Sequence, residues 1–326
     1  MYKLPALSLI TAALISTSAL AEEAFNPMAN PSTPEQWEAF TTISYKGSMQ
    51  STAAIQAQYN LKIESLNIAG VPCYLFTPQE VKHDGLLFFV HGGGYVLGAG
   101  LAGAPEGLYM AALTGYQVLA VDYRMPPAEE PFPAAIDDMM AVYAEVVKER
   151  DPQSIGVFGS STGGALTLLL SQEAARRNLP QPAALISGTP WSDISRTGDT
   201  YESNDHQDTV LVSYDGWIKP AALLYANGVD LKDPRLSPVY GEFDFFPPTL
   251  LVSGTRDLFL SNTVRVQQKL LEAGREVDLL VLEGVSHCGY YLFGENDTSK
   301  FYHQQAEKFW TEHLKADSSA ETEAAQ

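Results

Sequence analysis

Six short, almost wholly apolar runs constrain the fold of this chain more than any other feature. They occupy residues 86–90, 117–123, 155–159, 183–187, 248–254 and 277–284. A strand that is apolar on both faces is buried on both, as happens in a parallel sheet sandwiched between helices. The intervening segments supply those helices. AAIDDMMAVYAEVVKER, ALTLLLSQEAARR and TVRVQQKLLEAG space apolar residues three and four apart, and Gly274 closes the last of them. KFYHQQAEKFWTEHLK forms a final helix. Strand and helix alternate, so the expected fold class is α/β, a mainly parallel central sheet flanked by helices.

The two ends of the chain read differently. Lys3 precedes an apolar run that ends in Ala19-Leu20-Ala21, the pattern of a signal peptide over residues 1–21 cut after Ala21. That run is short for a membrane span and is broken by Pro5 and several Ser and Thr. The expected product is exported, periplasmic or secreted, with no stable membrane anchor once the leader is removed. Residues 316–326 form an acidic, small-residue tail expected to be disordered. Between them, residues 22–315 read as one domain. Two parts of it lack strand signals, residues 22–60 and residues 191–229, and these are expected to form a cap over the sheet. In the first, Thr33-Pro34-Glu35-Gln36 marks a capped helix start.

Charge removes one class of function. Asp and Glu number 39 against 20 Lys and Arg, a formal charge of −19, whereas binding nucleic acid phosphates needs clustered cations. There is no CxxC or HExxH, so no metal signature is present. Export would permit a disulfide, and spacing leaves that open. Cys73 lies in an early strand-like segment and Cys288 follows a candidate catalytic His, with no sequence reason to meet, so a bridge is not the expected state, and whether the thiols are free is left open.

Phe158–Gly164 reads FGSSTGG. A phosphate loop would need Lys followed by Ser or Thr after the last glycine, and Ala165-Leu166 stand there instead. The G-x-S-x-G elbow fits better, because an apolar strand precedes it and a helical run follows. That turn is sharp, and side chains two positions either side of the nucleophile would collide. Ser161 is flanked by Gly159 and Gly163, while Ser160 is flanked by Phe158 and Thr162. Ser161 is therefore the candidate nucleophile.

A serine hydroxyl needs a base, and in chains built on this elbow the order is Ser, acid, His. His287 follows the last strand-like run. His83 and His91 precede the serine, His206 lies in the expected cap, and His303 and His313 lie on the final helix. Asp257 sits just past the strand before His287, unlike Asp233, Asp244 and Asp278. It would hold the His287 tautomer and stabilise the imidazolium. His91-Gly92-Gly93-Gly94 follows the first apolar run, where glycines let backbone N–H groups converge on one oxygen. The expected oxyanion hole draws on Gly93 and Gly94, less on Gly92, with the N–H of Thr162. His91 is expected to be structural.

HGGGYVLG, VDYRMPPAEEPFPAAIDD, FGSSTGG, PWSD, GTRDLF and EGVSHCGY together resemble the hormone-sensitive-lipase-like branch of α/β-hydrolase carboxylesterases. The resemblance runs over about residues 85–292. It implies an α/β-hydrolase fold with a helical cap, a Ser161–Asp257–His287 triad and no cofactor. Ser160 stands where that family usually has Asp, and Ser261 and Asn262 where it often carries an acid. The function implied is a serine carboxylesterase acting on small-molecule esters of short to medium acyl length through an acyl-enzyme. A serine peptidase, lactonase or deacetylase of the same fold competes with it, as does a non-catalytic binding protein that reuses the fold. The HGGG run weighs against the peptidase, and the complete triad against the binding protein. Oligomeric state, including a homodimer, is left open.

Overall fold

The computed structural model describes residues 25–317. The expected leader falls outside them, as does the tail beyond Asp317, which pairs with Arg150 at 3.1 Å. The sheet has eight strands: β1 (Lys62–Ile68), β2 (Val71–Thr77), β3 (Leu86–Val90), β4 (Gln117–Val121), β5 (Ile155–Ser160), β6 (Ala184–Gly188), β7 (Thr249–Gly254) and β8 (Val277–Leu282). Their order is β1-β2-β4-β3-β5-β6-β7-β8. Strands β3 to β8 pair in parallel, and β2 runs antiparallel to β1 and β4. The six expected runs are β3 to β8. The β1–β2 hairpin is additional.

The helices are α1 (Pro34–Tyr59), α2 (Pro105–Thr114), α3 (Ala134–Glu149), α4 (Thr162–Arg176), α5 (Thr200–Ser203), α6 (Lys219–Ala226), α7 (Leu260–Glu272), α8 (Gly289–Leu292) and α9 (Asp297–His313). They build two cores, one on each face. Along β3, Leu86, Phe88 and Val90 join α3, α4 and α7 in one core, while Leu87 and Phe89 join α2 and α9 in the other. Alternation sends neighbouring residues to opposite faces, so every residue of β3 is buried and must be apolar. β8 departs from the expected double burial. It is the sheet's last strand, and Asp278 and Val281 are exposed there.

Thr33 caps α1 as its sequence predicts. Its hydroxyl accepts the Gln36 N–H at 3.3 Å, and the Gln36 side chain accepts the Thr33 N–H at 3.2 Å. Residues 191–229 contain α5, an irregular turn at Tyr214–Ile218, and α6, with no strand. The two segments expected to form a cap touch each other. Phe40 of α1 packs on Trp217 with centroids 5.7 Å apart, and Phe25 packs on Phe40 at 4.9 Å. Both cysteines are free and buried.

Candidate active site

Because β3, β5, β7 and β8 run in parallel, their C-terminal ends share one edge of the sheet, where ligands bind in open α/β folds. Each strand delivers one segment there. His91–Gly94 follow β3, Ser161 follows β5, Asp257 lies just past β7 and His287 just past β8.

Ser161 adopts φ 63° and ψ −123°, a conformation rarely held by a residue with a side chain. Hydrogen bonds hold it there. Its N–H donates to the Gly188 carbonyl, and its carbonyl accepts from the Trp191 N–H, both at 2.9 Å. The flanking glycines are required by contact with β3. A Cβ on either Gly159 or Gly163 would lie 2.1 Å from the Val90 carbonyl oxygen. Ser161 keeps 8% of its surface, while Asp257 and His287 are fully enclosed.

His287 Nδ1 lies 2.9 Å from Asp257 Oδ1. The Asp257 carboxylate also accepts the Ser253 hydroxyl at 2.7 Å and the Phe259 N–H at 2.9 Å, which fixes its plane. An Nδ1–H donated to Asp257 leaves Nε2 as the unprotonated nitrogen, and Nε2 is buried with no partner among the described residues. Burial works against a charged imidazole here. The charge and hydrogen bond of Asp257 oppose that and raise the His287 pKa, so Asp257 stabilises the imidazolium once Nε2 has taken a proton.

The glycine loop lies against the serine turn. A Cβ on Gly92 would be 2.6 Å from the Ser160 carbonyl oxygen and 3.1 Å from Ser161 Cβ. Gly94 has φ +64°, and a Cβ there would strike the Trp217 ring at 2.4 Å. Trp217 thus connects residues 191–229 to the loop expected to bind the oxyanion. Among the described residues, the N–H groups of Gly93, Gly94 and Thr162 donate to no protein atom. Thr162 opens α4, so its N–H has no partner within the helix. His91 faces away from this chemistry. It stacks on Tyr123 with centroids 4.2 Å apart, its Nδ1 lies 2.7 Å from the Gly92 carbonyl, and burial pushes its pKa down to about 4. A cavity of about 1100 Å³ lies between α1, Tyr109 and Tyr291. None of the candidate site residues lines it.

Residues 87–291 match the sequence description of the α/β-hydrolase fold. The chain belongs to the α/β-hydrolase fold family. The crystal structure of an esterase, E25, superposes on this α/β-hydrolase-fold protein with a TM-score of 0.86 and 38% identity, covering 97% of this chain and 99% of that one. An ethyl acetate hydrolase of Pseudomonas putida is 31% identical over 234 residues, 67% of this chain and 70% of that protein. An acetyl-hydrolase of Streptomyces hygroscopicus is 30% identical over 201 residues, 61% of this chain. That match spans 66% of the acetyl-hydrolase, just under two thirds of its length.

One residue of this α/β-hydrolase-fold protein's site has no sequence signature. Asp208 is buried, and its Oδ2 accepts the N–H of Leu258 at 3.0 Å and of His287 at 3.3 Å. Its Oδ1 accepts the N–H of Val210 at 2.8 Å and of Leu211 at 3.1 Å. One carboxylate from residues 191–229 therefore ties the Asp257 loop to the His287 loop. Nearby, Asn204 donates to the Asp257 carbonyl at 2.9 Å, and the Thr209 N–H donates to Ser286 Oγ at 3.0 Å. Asp208→Asn turns an acceptor oxygen into a donor that faces N–H groups. It should lower stability by about 2 kcal/mol, read from the urea midpoint. It should also lower kcat about tenfold with KM little changed, because the Asp257–His287 geometry loosens. A wild-type midpoint with wild-type kcat would refute this role.

Proposed function

We propose that this protein is a serine carboxylesterase that hydrolyses short to medium acyl esters through an acyl-enzyme. One observation carries the reading. His287, bonded to Asp257 at 2.9 Å, presents a buried Nε2 with no partner among the described residues, at the same sheet edge where Ser161 is held at φ 63°. Ser161 Oγ attacks the ester carbonyl while His287 Nε2 takes its proton, and Asp257 stabilises the imidazolium. Charge develops on the carbonyl oxygen, to which the N–H groups of Gly93, Gly94 and Thr162 donate. His287 then protonates the leaving alcohol. Water attacks the acyl-enzyme by the same proton route in reverse roles.

Acyl length follows from what covers the glycine loop. Trp217 packs on Gly94 and is held by Phe40 and Phe25. A bulky ring so close to the oxyanion donors leaves room for a small acyl group and opposes a long one. The ethyl acetate hydrolase and the acetyl-hydrolase among the relatives carry names that agree with a short acyl group.

Two measurements test the proposal together. A fluorophosphonate should add its phosphonyl group to one peptide, with the label on Ser161. Across nitrophenyl esters of increasing chain length, kcat/KM should peak at the short end and fall for long chains. Label on another residue would overturn the nucleophile, and a maximum at long acyl chains would overturn the substrate class.

A further inference from the structure

Ser160 has a partner of its own beneath the serine turn. Its hydroxyl donates to Glu106 Oε1 at 2.5 Å and lies 2.6 Å from the Tyr290 hydroxyl. All three side chains are buried, and they come from α2, the end of β5, and α8. Two of them adjoin the site along the chain: Ser160 precedes Ser161, and Tyr290 lies just past His287. Gly188 makes space for this contact. A Cβ there would lie 2.0 Å from the Tyr290 hydroxyl and 2.4 Å from Ser160 Oγ. The same Gly188 accepts the Ser161 N–H. The carboxyl, the two hydroxyls and the backbone of the nucleophile therefore pack as one unit.

Glu106 is an expensive residue to bury. Among the described residues no Lys or Arg pairs with it, and its Oε2 has no hydrogen-bond partner. A buried carboxylate without a counter-ion is strongly disfavoured, so burial pushes its pKa up to about 8 against the opposing pull of Ser160 and His287. The titratable groups around it are His287, Cys288, Tyr290 and Tyr291 on one side and Tyr302 of α9 on the other. An apolar side chain of equal size would fill the space without that penalty. What it would lack is the link between two loops.

We infer that Glu106 is a positioning residue for the reaction proposed above: through Ser160 and Tyr290 it couples the Ser161 turn to the His287 loop and so sets how Ser161 Oγ meets His287 Nε2. The inference rests on Ser161 and His287 being nucleophile and base. Removing the link loosens the approach of two reacting atoms without touching the substrate's contacts, so the effect belongs in kcat and not in KM.

The test uses Glu106→Leu, Glu106→Gln, Tyr290→Phe and Ser161→Ala in the full chain, with a short-chain nitrophenyl ester and fluorophosphonate labelling. Glu106→Leu should lower kcat and the labelling rate about tenfold, with KM within about twofold. Glu106→Gln accepts the same Ser160 hydrogen bond and should recover most of that loss at neutral pH. Tyr290→Phe, which keeps the packing, should lower kcat several-fold and carries the test if Glu106→Leu fails to fold. The carboxyl's state has its own readout. A folded-state pKa raised from 4.5 to about 8 contributes stability that is present below the lower value and lost as pH rises through the higher one. Over that window the wild-type Tm should fall relative to Glu106→Gln. Wild-type kcat in folded Glu106→Leu and Tyr290→Phe, or a Gln variant no better than Leu, would overturn the coupling. Parallel Tm curves would overturn the neutral, hydrogen-bonded carboxyl on which it depends. Full activity in Ser161→Ala would instead sink the functional reading itself.

Discussion

Ser161→Ala should lower kcat for a short-chain ester by about 10⁴-fold or more, while Ser160→Ala should cost only about tenfold. The two serines are neighbours in sequence and unlike in every physical respect. Ser161 stands at φ 63° on the turn, the conformation that projects an elbow's side chain away from its strand and helix. Ser160 is the last residue of β5 and fully buried, and its hydroxyl is engaged by Glu106 and Tyr290. A hydroxyl already hydrogen-bonded inside the core neither reaches a substrate nor passes its proton to His287. Alanine at 161 removes the nucleophile but leaves the oxyanion donors and the His287–Asp257 pair, so a small residual rate over buffer is expected. Steady-state kinetics on both variants, with circular dichroism to establish the fold, decides the matter. Equal losses from two folded variants would dismiss Ser161 as nucleophile.

How much of this was legible in the sequence depended on where each signal is stored. Strands β3 to β7 announced themselves because burial on both faces demands near-continuous apolar runs, and β8, half-exposed at the sheet's edge, was legible because its run is still mostly apolar. The hairpin was only half legible, because the segment around Cys73 reads as strand-like and β1 does not. β1 reads KIESLNI, and all of it is exposed or half-exposed at the sheet's edge, so no apolar run marks it. β2 includes Pro72, a residue that weakens a strand reading. Asp257 and His287 could be located because each follows a recognisable strand by a few residues. Asp208 could not. It acts on backbone N–H groups 50 and 79 residues further along, and a side chain bonded to distant backbone imposes no residue type on its partners. Glu106 was hidden for a related reason. It stands 54 residues before Ser160, in the first turn of a helix where a Glu is ordinarily accounted for by the helix dipole.

Gly163→Ala should abolish the native fold or, where the chain still folds, lower kcat about 100-fold. The argument is one of backbone against backbone. The added Cβ would lie 2.1 Å from the Val90 carbonyl oxygen and 2.8 Å from the His91 carbonyl carbon. A methyl group and a carbonyl oxygen need more than an ångström beyond that, and neither can rotate away as a side-chain tip would. Relief requires α4 to move off the end of β3. Overpacking of this kind costs about 3 kcal/mol or more, a large share of the roughly 5–15 kcal/mol that holds a domain together. The movement has a second consequence. Val90 leads into the glycine loop, and Gly163 lies two residues after Ser161, so separating them parts the oxyanion donors from the nucleophile. A misplacement of about 1 Å between such groups is what produces the 100-fold loss. Gly47 supplies the control. It lies exposed inside α1 with nothing within 4 Å of its added Cβ, and Gly47→Ala should raise stability by about 0.5–1 kcal/mol through helix propensity alone. Soluble yield, Tm and kcat for the two variants separate the effects. A Gly163→Ala protein with wild-type Tm and kcat would mean that β3 and α4 do not meet at this turn, and the reason for the glycines either side of Ser161 would have to be sought elsewhere.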